Sequence, residues 1–423
     1  MYEFPAHGRN NARFLLPALG LFVVSSASAG EWAGRVEMID GVEQVMNPAE
    51  SIEPASTVAL EELWRIGGDS DAQGELFGVI NQIATDADGN VYLLDQQLCE
   101  VGVFSPQREY LRTIGREGEG PGEFRSPQDL FFLSDGNLGV LQLAPGRIVM
   151  LTPEGDPAGD HPLPELEGGG VPTLVSGRSL GDNLLLVTSK NTQGDNKVDI
   201  HRSLIVVDAN GVQQKELLKS TRPLEFINFE FDETMWITFD NRWQVAPGGD
   251  LYGVEFFLPY EIIQWGREGN KKRVIRRDYK HYSRTDKQKQ EQHDIFDGFL
   301  QNQLPRYEIK ISQYDPDITQ LYPREDGSLW VLTSHGMRDR PDGSIGVFDV
   351  FDSEGRFVKQ LTLMGEGDPI ADGYYFLGER VYVVTDQLEA NIASRGGRTN
   401  DDEADVDEAE PICVICYRLN GGA

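Results

Sequence analysis

The sequence predicts an all-β protein, a six-bladed β-propeller whose four-stranded antiparallel blades stand around one axis and whose ring is closed by an N-terminal strand in the last blade. Three observations in the 423 residues predict it. Short β-rich segments recur six times, each after a tight-turn signal. One glycine-rich pattern appears twice at a fixed spacing. The last repeat lacks a strand that the segment before the first repeat can supply.

The recurring segments are VYLLD (91–95), LGVLQ (138–142), LLLVT (184–188), LYGVE (251–255), LWVLT (329–333) and VYVVT (381–385). Ahead of them stand Asp88-Gly89-Asn90, Asp135-Gly136-Asn137, Gly181-Asp182-Asn183, Gly248-Gly249-Asp250, Asp326-Gly327-Ser328 and Leu377-Gly378-Glu379. Glycine there supplies the positive φ that tight hairpin turns require. After most segments comes a second apolar strand and another turn, as at Asn210-Gly211 and Glu354-Gly355. Each unit reads as two hairpins joined by a connection over about 40–50 residues, which is the unit of a propeller blade.

The stretch IGREGEGPGEFRSPQDL (114–130) first suggests a phosphate cradle, because glycine lets N–H groups converge on an anion. Yet Glu117, Glu119 and Glu123 would repel one, no Lys-Ser/Thr pair follows, and the next segment reads as strand rather than helix. Ile66, Gly67, Gly74 and Glu75 return as Ile114, Gly115, Gly122 and Glu123, each 48 positions later, so the glycines punctuate repeats. The pattern G-x-G-x-G-E-F-x-x-P-x-D-L over 118–130, followed by Asp135-Gly136-Asn137, resembles the repeat of NHL-like and TolB-like six-bladed propellers of exported bacterial proteins, and 74–95 matches it less completely. The resemblance spans roughly residues 60–420. It implies the fold and no single activity, since NHL-like propellers include both binding modules and enzymes.

The sixth unit has strands around 373–377, 381–385 and 412–419 and stops one short, whereas ELWRI (62–66) is a strand without a sheet of its own. Placed in blade six, it closes the ring and removes exposed sheet edges. The domain plan is a signal peptide (1–29), an N-terminal hairpin and extension (30–59) and the propeller (60–420), with a helical insertion at about 276–312 and an acidic loop at about 386–411. The hairpin, around Asp40-Gly41, reads as a separate unit outside the ring. Turns within hairpins are short, and extra sequence collects at 189–202, 334–344 and 386–411 within blades and at 115–125, 220–240 and 276–317 between blades. Both connection types emerge on one face of an up-and-down propeller, so a single loop-rich face is expected to be the working surface. Within it, Ile295, Phe296, Phe299, Leu300 and Leu304 fall at helical spacing. The run TNDDEADVDEAE (399–410) reads as a solvated loop without the spacing of an EF-hand.

Arg9 and Arg13 precede an apolar run from Phe14 to Val24, and Ala27-Ser28-Ala29 offers a cleavage site, so the mature chain is expected to be periplasmic or secreted, without a membrane span and as a monomer. The net charge of −31 argues against a nucleic-acid partner. The basic run Lys271-Lys272-Arg273 with Arg276-Arg277 contrasts with that balance, and either contacts an anion or pairs with nearby carboxylates. Cys413 and Cys416 lie in a strand-like run, where positions three apart face opposite sides of a sheet, and with Cys99 they read as buried structural cysteines rather than metal ligands.

The second strands end at Asp95, Gln142, Thr188, Glu255, Thr333 and Asp386, the residues expected at the channel mouth. Three acids and three neutral polar groups could hold a divalent cation such as calcium through oxygen, with Asp95, Glu255 and Asp386 as the ligands. The competing reading is that Asp in such repeats hydrogen-bonds the next turn. Among the histidines, His201 and His335 fall in channel-face loops, and His335 is the more suggestive within Thr333-Ser334-His335. No G-x-S-x-G or H-E-x-x-H signature appears. The expected function is that of an exported module binding a protein, peptide or glycan ligand. The alternative, a metal-assisted hydrolase or lyase at the channel mouth, rests on fold analogy alone.

Overall fold

A computed structural model describes residues 30–70, 72–165, 170–225, 229–304, 306–396 and 411–419. The expected signal peptide and the acidic run 399–410 lie outside the described residues. The rest forms six antiparallel blades. Blade 1 is Ile80–Thr85, Val91–Asp95, Glu100–Phe104 and Tyr110–Ile114. Blade 2 is Pro127–Phe132, Leu138–Gln142, Arg147–Leu151 and Pro157–Asp160. Blade 3 is Thr173–Leu180, Asn183–Gln193, Lys197–Val207 and Gln213–Glu225. Blade 4 is Trp243–Val245, Leu251–Gly253, Glu261–Trp265 and Lys271–Arg277. Blade 5 is Ile318–Pro323, Leu329–Thr333, Ser344–Phe351 and Phe357–Met364. Blade 6 is Gly373–Leu377, Arg380–Val384 and Cys413–Arg418, completed by Glu61–Gly67.

Why the second strands are apolar throughout follows from the period of a strand. Alternate side chains point to opposite faces, and in a ring both faces of a blade are covered by neighbours. Tyr92 and Leu94 therefore pack toward blade 2, while Val91 and Leu93 pack toward blade 6. Six buried clusters result among the described residues, one in each seam between adjacent blades. Cys413 and Cys416 obey the same rule, the first packing toward blade 5 and the second toward blade 1. All three cysteines are free, and burial pushes the Cys416 thiol up to about 11.

Glu61–Gly67 pairs antiparallel with Cys413–Arg418, so the N-terminal strand closes the ring. Trp64 on this strand is buried, packs on Tyr382 at 5.9 Å and donates its indole N–H to the Pro106 carbonyl of blade 1 at 3.2 Å. The residues before it form a strap. Val42–Asn47, the inner strand of a hairpin with Arg35–Ile39, pairs in parallel with Lys271–Arg277, and Ser56–Ala59 pairs in parallel with Phe357–Met364. The hairpin is thus not separate: it widens blade 4 to six strands. Buried Asn47 fixes the strap, donating to the carbonyls of Arg276 and Gly355 and accepting the N–H of Phe357. One further correction concerns 189–202, which continues the ladder instead of looping. Blade 3 projects an arm of three long strands, 11, 11 and 13 residues, turned at 194–196.

Replacing Trp64 by Ala is expected to cost about 3–5 kcal/mol, the usual loss for a large buried aromatic, read as a lowered urea midpoint. A midpoint within error of the parent would show that the closing strand contributes nothing to the ring.

Candidate functional site

The residues at the ends of the second strands act on the backbone. Asp95 is buried, and its carboxylate accepts N–H bonds from Gly78 (2.7 Å), Val79 (3.2 Å), Gln97 (2.9 Å) and Leu98 (2.9 Å), pinning the connection into blade 1 and the turn out of its second strand. Gln142 does the same in blade 2, accepting the Arg125 N–H and donating to the Pro145 carbonyl, both at 2.9 Å. Thr333 accepts the Gly336 N–H at 3.0 Å and caps a short helix, Ser334–Arg338. Thr188 donates to the Ser203 carbonyl at the base of the arm. Asp386, at a left-handed φ of 53°, precedes the helix Gln387–Ser394 and donates its N–H to Asp372. Burial pushes the Glu255 carboxyl up. Among the described residues no three His, Cys, Asp or Glu stand together so as to hold a metal, and Asp95, Glu255 and Asp386 form no such group.

The glycine-rich connections close on themselves. Glu123 accepts the Gly120 N–H at 2.9 Å and pairs with Arg116, and its repeat counterpart Glu75 accepts the Gly67 N–H and pairs with Arg108. Four of the five cations of the basic run are likewise absorbed: Lys272 pairs with Asp250, Arg273 with Glu43, Arg276 with Glu261 and Arg277 with Asp349.

A larger assembly occupies the loop-rich face between blades 4 and 5. Arg284 lies fully buried between Glu233 (2.6 and 2.7 Å) and Asp315 (2.7 Å), and Arg338 reaches the same Asp315 at 3.0 Å. Burial alone would lower the Arg284 pKa; the two carboxylates outweigh it and hold the guanidinium above its ordinary value. Four segments far apart in sequence are locked together by these two cations and two anions. A 15-residue helix, Asp286–Leu300, follows, capped by a Thr285–Gln288 capping box. Its apolar stripe docks Phe296 on Phe231 at 4.6 Å, and Phe299 lies under Arg395 at 5.4 Å.

On this base sits a cluster of rings. The His335 Nδ1 bonds Asp339 (2.6 Å) and its Nε2 bonds the Lys280 carbonyl (3.0 Å), with Tyr279 and Tyr282 edge-on at 5.5 and 5.1 Å. The Tyr279 hydroxyl accepts the His335 N–H and bonds Ser334. His281 bonds buried Asp317 through Nδ1 at 2.8 Å and tilts against exposed Tyr314 at 5.5 Å. The Asp317 carboxylate orients His281 through Nδ1, and among the described residues no hydroxyl or thiol nucleophile bonds its Nε2. His335 was legible in the sequence. His281, Tyr279, Tyr282, Tyr314 and Asp317 were not, and the alternation Tyr279, His281 beside Tyr314 was the available signal. His201, on the arm, is held between Thr192 and Thr221 in a polar groove of about 440 Å³.

The axial channel is lined by first strands, because these are the innermost of each blade. Its cavity, about 560 Å³, is bounded by the last residues of those strands and by the tight turns after them, on the face opposite the insertions. At its inner end Asp129 accepts bonds from Gln82 (2.7 Å), the Gly177 N–H (2.9 Å) and Arg178 (2.5 Å), while Gln387 donates to the Ile80 carbonyl and to Tyr375. None of the second-strand ends lines this cavity.

Residues 73–151 match the model of the DUF5128 family, described as a 6-bladed β-propeller. No curated protein matches the chain. Among solved structures, a Bacteroides fragilis protein described as exported is 12% identical, with 86% of this chain and 99% of that one covered and a TM-score of 0.43. A member of the DUF4221 family from Bacteroides vulgatus is 10% identical, covers 85% and 97%, and has a TM-score of 0.45. The calcium-binding protein regucalcin from Agrobacterium tumefaciens is 10% identical, covers 86% and 97%, and has a TM-score of 0.42.

Arg284→Met leaves Glu233 buried with only the Ser312 N–H beside it, and Asp315 with only Arg338. The expected loss is about 3–5 kcal/mol, as for other broken buried pairs, seen as faster hydrogen exchange across 281–315. Asp372 supplies a pH test. Burial raises its carboxyl to about 6, above the ordinary 3.8, although the N–H groups of Asp368 and Asp386 oppose the rise. The protonated form is therefore the one that folding favours: its contribution is fully present below about 4 and disappears as pH rises through about 6. Asp372→Asn should remove roughly 1–2 kcal/mol of the stability difference between pH 5 and pH 7.5. An unchanged pH profile would show that Asp372 titrates normally.

Proposed function

We propose that the protein is an exported binding module whose loop-rich face recognises a glycan or polar peptide. The observation that carries this reading is the locked base of Arg284, Glu233, Asp315 and Arg338, on which Tyr314, His281 and His335 are held at the surface. Buried ion pairs add little net stability but fix one geometry, which suits a surface that must be rigid before its ligand arrives. Tyrosine and histidine rings beside carboxylates offer flat faces for stacking together with donors and acceptors at their edges. Such a surface matches a sugar or a polar peptide better than an apolar partner. Thr333 supports the site by capping the short helix Ser334–Arg338 of this face, and Asp386 leads into the helix Gln387–Ser394. Residues 1–29, with their basic start, apolar run and Ala-Ser-Ala end, support export. Among the described residues no helix is long and apolar enough to cross a membrane.

The test is a glycan and peptide array probed with the parent and with Tyr314→Ala and His335→Ala, which stand outside the buried lock. Selective binding that falls at least about tenfold in both variants supports the reading. No selective binding, or binding equal in all three proteins, overturns it.

A further inference from the structure

The axial cavity, at the opposite end of the channel from the loop-rich face, differs from the rest of the molecule in its charge. Acidic residues outnumber basic ones 69 to 38 in the chain, yet the cavity lining contains Arg178, Arg267 and Arg324 against one carboxylate, Glu325. No lysine is among the lining residues.

Two of the three guanidinium groups are anchored by hydrogen bonds, Arg178 and Arg324. Arg178, from the first strand of blade 3, bonds Asp129 and the Gly177 carbonyl through one terminal nitrogen and lies 5.8 Å from the Trp243 ring. Arg324, after the first strand of blade 5, donates to the Gly378 carbonyl at 2.6 Å and stacks over Trp330 (5.0 Å) and Phe376 (5.6 Å). Arg267 reaches in from the outer turn of blade 4. Its guanidinium lies against Gly181 and its stem against Gly249, so a Cβ at position 181 would collide with the terminal nitrogen. Both glycines have positive φ, +64° and +88°. Arg267 is exposed and has no ion pair or hydrogen bond among the described residues, in contrast to the paired cations of the basic run.

Asp129 pairs with Arg178, and Asp326 and Glu325 both attract Arg324, which leaves Arg267 as a lining cation without a carboxylate partner among the described residues. Guanidinium groups with donors uncommitted to the protein suit oxyanions, which they bind through paired N–H bonds. The volume, about 560 Å³, is that of a small-molecule site. Gln82 and Gln244 add amide groups to the wall. We infer that the tight-turn end of the channel binds a small organic anion, a carboxylate or a phosphate ester, gripped by Arg267 and Arg324 with Arg178 behind them.

The test titrates the purified full chain with citrate and, separately, with inorganic phosphate at low ionic strength, by calorimetry. Saturable binding that weakens about tenfold in Arg267→Ala and vanishes in Arg267→Glu supports the site. The tighter of the two probes then names the headgroup. Arg116→Glu, on the opposite face, should bind as the parent does. Arg267 touches no partner whose loss would unfold the chain, and an unchanged melting temperature of the variants checks this. Absence of binding by either probe, or equal binding by the parent and Arg267→Glu, overturns the inference.

Discussion

The antiparallel ladder between Glu61–Gly67 and Cys413–Arg418 is the constraint on which the rest depends. Each blade buries its faces only against its two neighbours, so the six seams form a cycle rather than a list. Without the closing strand, blade 6 lacks its outer edge, and Trp64 and Ile66 leave the seam with blade 1. The strap that leads into the strand reinforces the same side, since Asn47 bridges blades 4 and 5. Arg277 and Tyr260 of blade 4 add a buried pair of contacts to Asp349 of blade 5.

The ring also sorts its two faces physically. Turns within hairpins are pinned by ladder hydrogen bonds on both sides and by glycines at positive φ, as at Gly89, Gly136 and Gly327. They have no room to grow. Connections between second and third strands, and between blades, carry no such restriction and have accumulated the helix Asp286–Leu300, the arm of blade 3 and the helix Gln387–Ser394. The elaborated face is therefore adaptable and the opposite one is uniform, which makes an unpaired arginine on the uniform side all the more distinct.

Much of this was legible in the residues because it is local. VYLLD and its five counterparts announce strands covered on both faces, and the turn signals ahead of them give the repeat. The placement of Cys413 and Cys416 on opposite faces follows from strand period alone. The channel lining was not legible, because sequence marks the most apolar strand of a blade, the second, whereas the innermost is the first. INQIAT and PQDLFF look ordinary by comparison, and they supply Gln82 and Asp129 at the axis. The polar run 189–202 resembles an insertion because an arm wet on both faces has no apolar alternation to betray its strands. Partners such as His281 and Asp317, or Glu43 and Arg273, are set by the fold and by nothing near them in the chain.

The closing ladder joins the two ends of the propeller. Glu61 and Arg418, which face each other across the closing ladder, lie 357 positions apart in the chain. Whatever order the blades assemble in, they can form only an open arc until the final strand exists, with a raw sheet edge at either end. Joining those ends brings together segments far apart in the chain, the kind of non-local pairing that slows assembly. The same feature opposes fraying once the circle is complete, because Glu61–Gly67 and Cys413–Arg418 hold each other in one ladder.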